Sequence, residues 1–265
     1  MVTARDVYIQ IIREVCEELG INLRGYSSDW IMKLQRDQKT RYIIGYRFGL
    51  NSDSASAICR DKGATSCVLE SAGVPSVKHH LFFPEDSKYV DNEGGFEGLV
   101  NLLAKHGELV LAPFDGGNGS NVSKASNREQ LDMIAESIFK KRSALVASKY
   151  YEIEREFRVV CLDGQVKLVF DKIRTNDWRH NLSLGAIPKI VEGGGLREQL
   201  EMLAIRAAEV AGLGFASVDI IKEKGELRIL EINDGVSVTH FAKYSSENYE
   251  IAKGIYREAV ELMFV

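Results

Sequence analysis

Two pairs of strand-like segments in the second half of the chain are joined by connections too short for anything but a hairpin. Residues 155–162, REFRVVCL, and 165–173, QVKLVFDKI, are separated only by Asp163 and Gly164, a pair suited to the left-handed backbone of a two-residue turn. GFASVDII and ELRILEIN, residues 214–221 and 226–233, are joined through KEKG. Connections this short pair strands antiparallel, whereas parallel neighbours need a crossover of roughly a dozen residues or more. The segments upstream mix helices and strands without a repeated strand-helix-strand unit. The chain therefore reads as α+β with antiparallel sheets, not as a doubly wound parallel fold.

The remaining elements follow from periodicity. Tyr8, Ile11, Ile12, Val15, Cys16 and Leu19 recur at helical spacing before Gly20, which predicts an N-terminal helix. DWIMKLQ and TRYIIGYRF read as a strand pair about the polar turn QRDQK. A helix from Asp61 to Ser71 takes Asp61 as its cap and stops at Gly73. A strand is expected near VPSVKHHLFF, then a helix with Leu99, Leu102 and Leu103 on one side, then a buried strand ELVLAPF. Ser126 to Glu129 has capping-box spacing before the helix REQLDMIAESIFKK. SALVASKYY reads as a strand, and helices are expected over Leu196 to Ala211 and about Glu247 to Leu262.

Composition narrows the function classes. The 265 residues are 45% hydrophobic and 27% charged, as in a globular protein large enough for a substantial core. A formal net charge of -4 gives no general attraction for nucleic acid or an anionic membrane, so neither is an expected partner. Cys16, Cys59, Cys67 and Cys161 are scattered without metal-ligand spacing and read as reduced thiols. No apolar run approaches the roughly 18 residues of a membrane span, and the first 20 residues carry charges where a signal peptide would be apolar. The expected location is cytoplasmic.

The chemistry-bearing residues cluster late in the chain. In ELRILEINDG, Glu231 and Asn233 share one strand face, while Ile229, Leu230 and Ile232 read as core or support. Asp219, one strand earlier, would meet them across the hairpin. Two carboxylates and a carboxamide without His or Cys suit Mg²⁺ or Mn²⁺, which complete their shells with water and phosphate oxygens. The same three residues also read as the polar end of an exposed strand. The loop DGGNGSN, with Gly116, Gly117, Gly119 and Ser120, offers unobstructed backbone N–H groups for phosphates, and equally reads as a plain turn. Lys62 stands at a helix start, where an anion would be favoured. Lys172, Arg174, Arg179, His180 and Asn181 form a basic stretch around Trp178. His79 and His80, adjacent on a strand, point opposite ways and read as surface or packing residues.

In this order the pieces resemble the ATP-grasp superfamily of carboxylate-amine ligases, most of all the branch of ribosomal-protein glutamate ligase and cyanophycin synthetase. The resemblance covers roughly residues 28–241. It rests on DKGATSCVLESAGVPSV, similar to an Asp-Lys helix ending in Gly-[IV]-Pro, on DWRHNLSLGA, similar to Phe-Arg-x-Asn-Leu-x-x-Gly-Gly, and on SVDII followed by LEIN. It implies two α+β lobes with antiparallel sheets clasping ATP, preceded by a short N-terminal helix and strand pair. The expected division is residues 1–58 as that N-terminal segment and 59–265 as the ATP-grasp domain, with a smaller lid lobe at about 75–148 and a catalytic lobe at about 150–265.

The implied activity is ADP-forming amide synthesis through an acyl phosphate, on amino-acid or peptide carboxylates and amines, in a family where dimers are common, so that a homodimer is one expected state. By the same resemblance Asp219, Glu231 and Asn233 would hold the metal ions. Lys62, the glycine loop, Ser148, Lys149, Tyr150, Glu156, Arg158 and Lys172 would bind the nucleotide, Arg158 and Arg174 would face the phosphates or the substrate carboxylate, and Arg179 and Asn181 would line the transferred phosphate and acyl intermediate. Two departures stand against the pattern. Ala112 in VLAPF replaces a lysine that helps hold ATP, and the hinge reads ASKYY where an acidic residue is usual. They motivate a competing expectation, a nucleotide-binding module without catalysis, and they leave Lys149 as a candidate replacement cation.

Overall fold

A computed structural model describes residues 3–88, 95–114, 122–141, 144–175 and 180–265. Its largest sheet has five strands in the order β10-β9-β8-β11-β12: β8 (Arg155–Leu162), β9 (Gln165–Ile173), β10 (Ile187–Ile190), β11 (Phe215–Glu223) and β12 (Glu226–Asn233). Every pairing within it is antiparallel. Asp163 and Gly164 both take positive φ (51° and 71°), as do Lys224 and Gly225 (51° and 82°). These are the mirror-image turns whose twist matches that of the flanking strands.

A second sheet, β4-β7-β5-β6, comprises β4 (His80–Phe82), β5 (Leu109–Pro113), β6 (Ser123–Ala125) and β7 (Leu145–Lys149). Helices α4 (Gly95–His106) and α5 (Arg128–Phe139) pack on it and bury Leu99, Leu103, Leu131, Ala135 and Ile138 against Leu109, Leu111, Leu145 and Ala147. On the large sheet, α6 (Gly195–Val210) presents Leu200, Ala204, Ala207 and Ala208 to one face. The small residues on that helix let it lie close to the strands.

The N-terminal segment holds three strands where two were expected. β1 (Asn22–Tyr26), β2 (Ile31–Arg36) and β3 (Lys39–Ile44) form an antiparallel sheet. β1 escapes the hydrophobic pattern because NLRGY has no buried residue at all. Helix α1 (Ala4–Glu18) and this sheet share one core with α7 (Thr239–Ala242) and α8 (Ser246–Leu262), centred on Tyr8, Phe48, Phe215 and Tyr256. Phe48 stacks on Tyr256 at 5.6 Å, and Tyr8 meets the same ring edge-on at 5.2 Å.

Asp61 caps α3 (Lys62–Ser71) as expected, accepting from Ala64 N–H at 3.0 Å. The helix before it, α2 (Asp53–Arg60), buries only Ala55 and Cys59 and so had no apolar stripe to reveal it. At α5 the cap lies one residue later than the capping-box reading placed it. Asn127, not Ser126, accepts the N–H of Gln130 at 3.0 Å, while Gln130 reaches back to Ser126 N–H at 2.9 Å. The short amide side chain of Asn127 competes for the same helix N–H groups and wins on position.

Candidate active site

Strand register assembles the site. Asp219 on β11 lies directly opposite Glu231 on β12, and Ser217 lies opposite Asn233. On its other side β11 sets Asp219 against Arg158 of β8. A bulge between Asp219 and Ile220 leaves Leu230 without a partner across the ladder. Such an extra residue re-aims its neighbours, and here both Leu230 and Glu231 line one cavity. Leu230 is therefore a cavity residue, not the core residue that strict alternation suggests.

The cavity, about 530 Å³, opens between the five-stranded sheet, the smaller sheet and the N-terminal segment. Its size is within the usual small-molecule range of roughly 300–1,000 Å³. Val77, Val110, Ala112, Val146, Ile153, Ile221 and Leu230 form an apolar part suited to a flat ring system, with Ser148, Lys149 and Tyr150 at its edge. Glu156, Arg158, Lys172, Asp219, Glu231, Asn233, Lys62 and Asn181 line the polar part.

Charges there are interlocked. Arg158 donates from Nε to Asp219 Oδ1 at 2.8 Å and from Nη2 to Oδ2 at 2.7 Å. Lys172 Nζ lies 2.9 Å from Asp219 Oδ2 and 2.6 Å from Glu156 Oε1. Asp219 is 2% exposed and Lys172 4%. Burial alone would raise the Asp219 pKa, but the charges of Arg158 and Lys172 outweigh it and hold the carboxyl well below the usual carboxylate range. Burial likewise works against the Arg158 charge, and Asp219 more than restores it. At Glu156 burial prevails, helped by the Asp219 charge and opposed by Lys172, so its pKa is raised. Beyond this cluster Asn233 Nδ2 donates to Glu231 Oε1 at 3.2 Å, and Lys62 Nζ lies 3.8 Å from Glu231 Oε2.

The oxygen set fits a hard divalent cation. Asp219 accepts three charge-assisted contacts, and a carboxylate offers roughly four lone-pair sites, so about one remains. Among the described residues, Glu231 meets a neutral amide and makes a longer contact to Lys62. With Asn233 Oδ1 beside it, the set matches the few protein ligands that Mg²⁺ takes. Among the described residues no cluster of three or more His, Cys, Asp or Glu side chains offers a competing metal site.

Of the other expected residues, Arg174 lies past the end of β9, is exposed, and does not line the cavity. Lys172 does so instead, from within the strand. Asn181 lines the cavity while capping a short 3-10 turn, its Oδ1 accepting from Ser183 N–H at 3.1 Å. Lys149 Nζ sits 4.3 Å over the Tyr151 ring at the cavity edge. Gly116, Gly117, Gly119, Ser120 and Arg179 lie outside the described residues.

Sequence reading missed Trp30, Tyr46, Arg47 and His79, all of which line the cavity. Arg47 pairs with both oxygens of buried Asp234, at 2.6 and 3.0 Å, and Val236 N–H donates to Tyr46 carbonyl at 3.1 Å. The N-terminal segment thus braces the loop that follows Asn233. His79 is held neutral, its pKa lowered to about 4 by burial and the nearby Lys62 charge. His79 lines the cavity, where a surface or packing role had been expected of both histidines.

Residues 90–257 match the RimK-like ATP-grasp domain. The chain belongs to that family. RimK-like ATP-grasp proteins are ATP-dependent ligases that form amide bonds, and their likeness to this chain extends beyond the matched domain. It is 26% identical over 215 residues to tetrahydromethanopterin:alpha-L-glutamate ligase of Methanocaldococcus jannaschii, covering 78% of this chain and 69% of that one. It is 22% identical over 226 residues to the alpha-aminoadipate–LysW ligase LysX of Saccharolobus solfataricus, covering 82% and 76%. Among solved structures it resembles D-alanine–D-alanine ligase from Bacillus anthracis complexed with ATP, with a TM-score of 0.60 and 19% identity over 80% of this chain and 67% of the other. At that identity the likeness establishes the shared fold, an ATP-grasp fold with antiparallel sheets. Among the described residues no helix is long and apolar enough to cross a membrane.

Proposed function

We propose that this ATP-grasp protein joins a carboxylate to an amine, on amino-acid or peptide substrates, using ATP and Mg²⁺ in the cytoplasm. The observation that carries the reading is the facing of Asp219 and Glu231 on adjacent strands, with Asn233, toward a cavity that also holds Arg158, Lys172 and Lys62. Phosphoryl transfer asks the protein chiefly to position reactants and neutralise charge, and this arrangement does both.

In the proposed reaction the substrate carboxylate oxygen attacks the γ-phosphorus and ADP departs. The amine nitrogen then attacks the acyl carbon, the C–O bond to phosphate breaks, and phosphate leaves as one proton is released. The apolar slot beside Ser148, Lys149 and Tyr150 takes the base, and Glu156 takes the ribose. Lys62, Arg158 and Lys172 offset phosphate charge, while Glu231, Asn233 and the remaining site on Asp219 hold the metal, which neutralises the triphosphate. Residues 75–148 are proposed as the smaller lobe that closes over the nucleotide.

Ala112 supports a second reading, a nucleotide-binding module without catalysis. Its side chain lines the cavity, so the position that resembles the family's lysine contributes a methyl group instead. An acceptor screen read by mass separates the two. The protein is incubated with Mg-ATP and mixed amino acids and short peptides. The ligase reading expects ADP together with a product equal to two components less water. ATP binding with no ADP from any mixture favours the module.

A further inference from the structure

His180 is 4% exposed, lines the cavity, and stands in the stretch RHN at a position the resembling motif leaves open. Its Nδ1 lies 3.0 Å from the backbone carbonyl of Lys172. A carbonyl only accepts, so Nδ1 carries the hydrogen and donates it. The residue opposite Lys172 in edge strand β10 is Pro188, which has no N–H to offer that carbonyl. The tautomer is thereby set, and Nε2 is left as the acceptor. Among the described residues Nε2 has no hydrogen-bond partner. A buried polar atom left this way carries an uncompensated desolvation penalty, which a ligand donor removes.

The surrounding groups show what that donor is. Glu156 is bonded by Lys172, both oxygens of Asp219 are held by Arg158 and Lys172, and Glu231 meets Asn233 and Lys62. Of the two other cavity histidines, His79 has its pKa lowered by burial and Lys62, and His240 by burial, Lys243 and Arg158. The carboxylates are thus already matched to cations or an amide, a phosphate or carboxylate ligand has no hydrogen to give, and the ribose hydroxyls of ATP are assigned above to Glu156. An amine has one to give and must lose it. On the ligase reading above, we infer that His180 Nε2 is the proton acceptor for the amine substrate. As the nitrogen forms its bond to the acyl carbon and phosphate leaves with the C–O electron pair, one N–H proton passes to Nε2. The imidazolium keeps its Nδ1–H bond to the Lys172 carbonyl and has the Glu156 carboxylate nearby, and the proton then passes to water.

His180→Asn retains a donor at the Nδ1 position for the Lys172 carbonyl but takes no proton. The test supplies Mg-ATP and the mixed amino acids as carboxylates, with and without hydroxylamine. Hydroxylamine is already neutral near pH 7 and attacks an acyl phosphate without a base, giving a hydroxamate. The expected result is amide formation reduced roughly 100-fold, the lower end of general-base contributions, with hydroxamate formation and the KM for ATP within about threefold of wild type. Hydroxamate formation also reports that the variant is folded. A parallel loss of both products, or a raised KM for ATP, assigns His180 a structural or nucleotide-binding role and overturns the inference. Unchanged amide formation overturns it too. A wild-type protein that forms neither product fails the ligase reading itself, and the His180 role falls with it.

Discussion

Replacing Lys172 by Met tests whether the cluster at the floor of the cavity is held together as the distances indicate. Lys172 is 4% exposed and Glu156 7%, and their 2.6 Å contact is the Glu156 carboxylate's hydrogen bond to a cation. Methionine fills similar space and leaves Glu156 buried beside Asp219, whose own charge remains offset by Arg158 at 2.7 and 2.8 Å. Breaking a buried pair by removing one partner costs about 3–5 kcal/mol, and the retained Arg158 contact puts this case near the lower end. At about 2–4 °C per kcal/mol for a chain of this size class, Tm falls by about 10 °C at pH 7.5. The pH dependence has a definite sign. Without Lys172 the folded-state pKa of Glu156 rises further above its unfolded value. Its contribution is then favourable only below the unfolded pKa and is lost as pH rises, so the deficit shrinks toward pH 5. Adding Glu156→Gln removes the stranded charge, and the double variant recovers about 2 kcal/mol relative to the sum of the singles. Thermal unfolding of the four proteins at both pH values measures this. Additivity within about 0.5 kcal/mol, or a deficit independent of pH, refutes the reasoning.

The other predictions concern thiols and the nucleotide slot. Burial pushes Cys16, Cys59 and Cys161 up to about 12, and Cys67 is exposed, so a thiol reagent at pH 8 labels one of the four cysteines quickly and the rest only after unfolding. Two or more fast equivalents would contradict the packing of these cores. Ala112→Lys places a cation in the cavity and tightens ATP binding about tenfold, as one charge-assisted hydrogen bond would; calorimetric titration with an ATP analogue reads the change, and unaltered affinity removes Ala112 from the slot.

Much of this architecture was legible because local chemistry and tertiary structure agree. β8, β9 and β12 span the residues expected, since each is bounded by a two-residue turn whose Asp-Gly or Lys-Gly pair accepts positive φ. β11 extends past the expected stretch by two residues because the turn between it and β12 needs only Lys224 and Gly225. The facing of Asp219 and Glu231 followed from the same hairpin. What stayed hidden depends on contacts distant in sequence. β10 contains Pro188 and pairs as an edge strand, where proline's missing N–H is tolerated. Leu230 faces the cavity because of a bulge that alternation cannot foresee. Arg47 and Trp30 join the site only because α1 and its sheet pack on the C-terminal helices. His180 looked like one more member of a basic stretch until Pro188 and the Lys172 carbonyl defined its tautomer.

The most direct measurement of the central claim is ADP release from Mg-ATP by Glu231→Gln and Asn233→Ala beside the wild type, with the carboxylate and amine identified by mass and with Tm recorded for each. Both side chains are partly exposed at the end of β12, so the fold should hold and Tm should stay within a few degrees. The account predicts substrate-dependent ADP release by the wild type and none detectable from either variant. Wild-type turnover in either variant, with its Tm unchanged, would contradict the claim that Asp219, Glu231 and Asn233 hold the metal that serves the reaction.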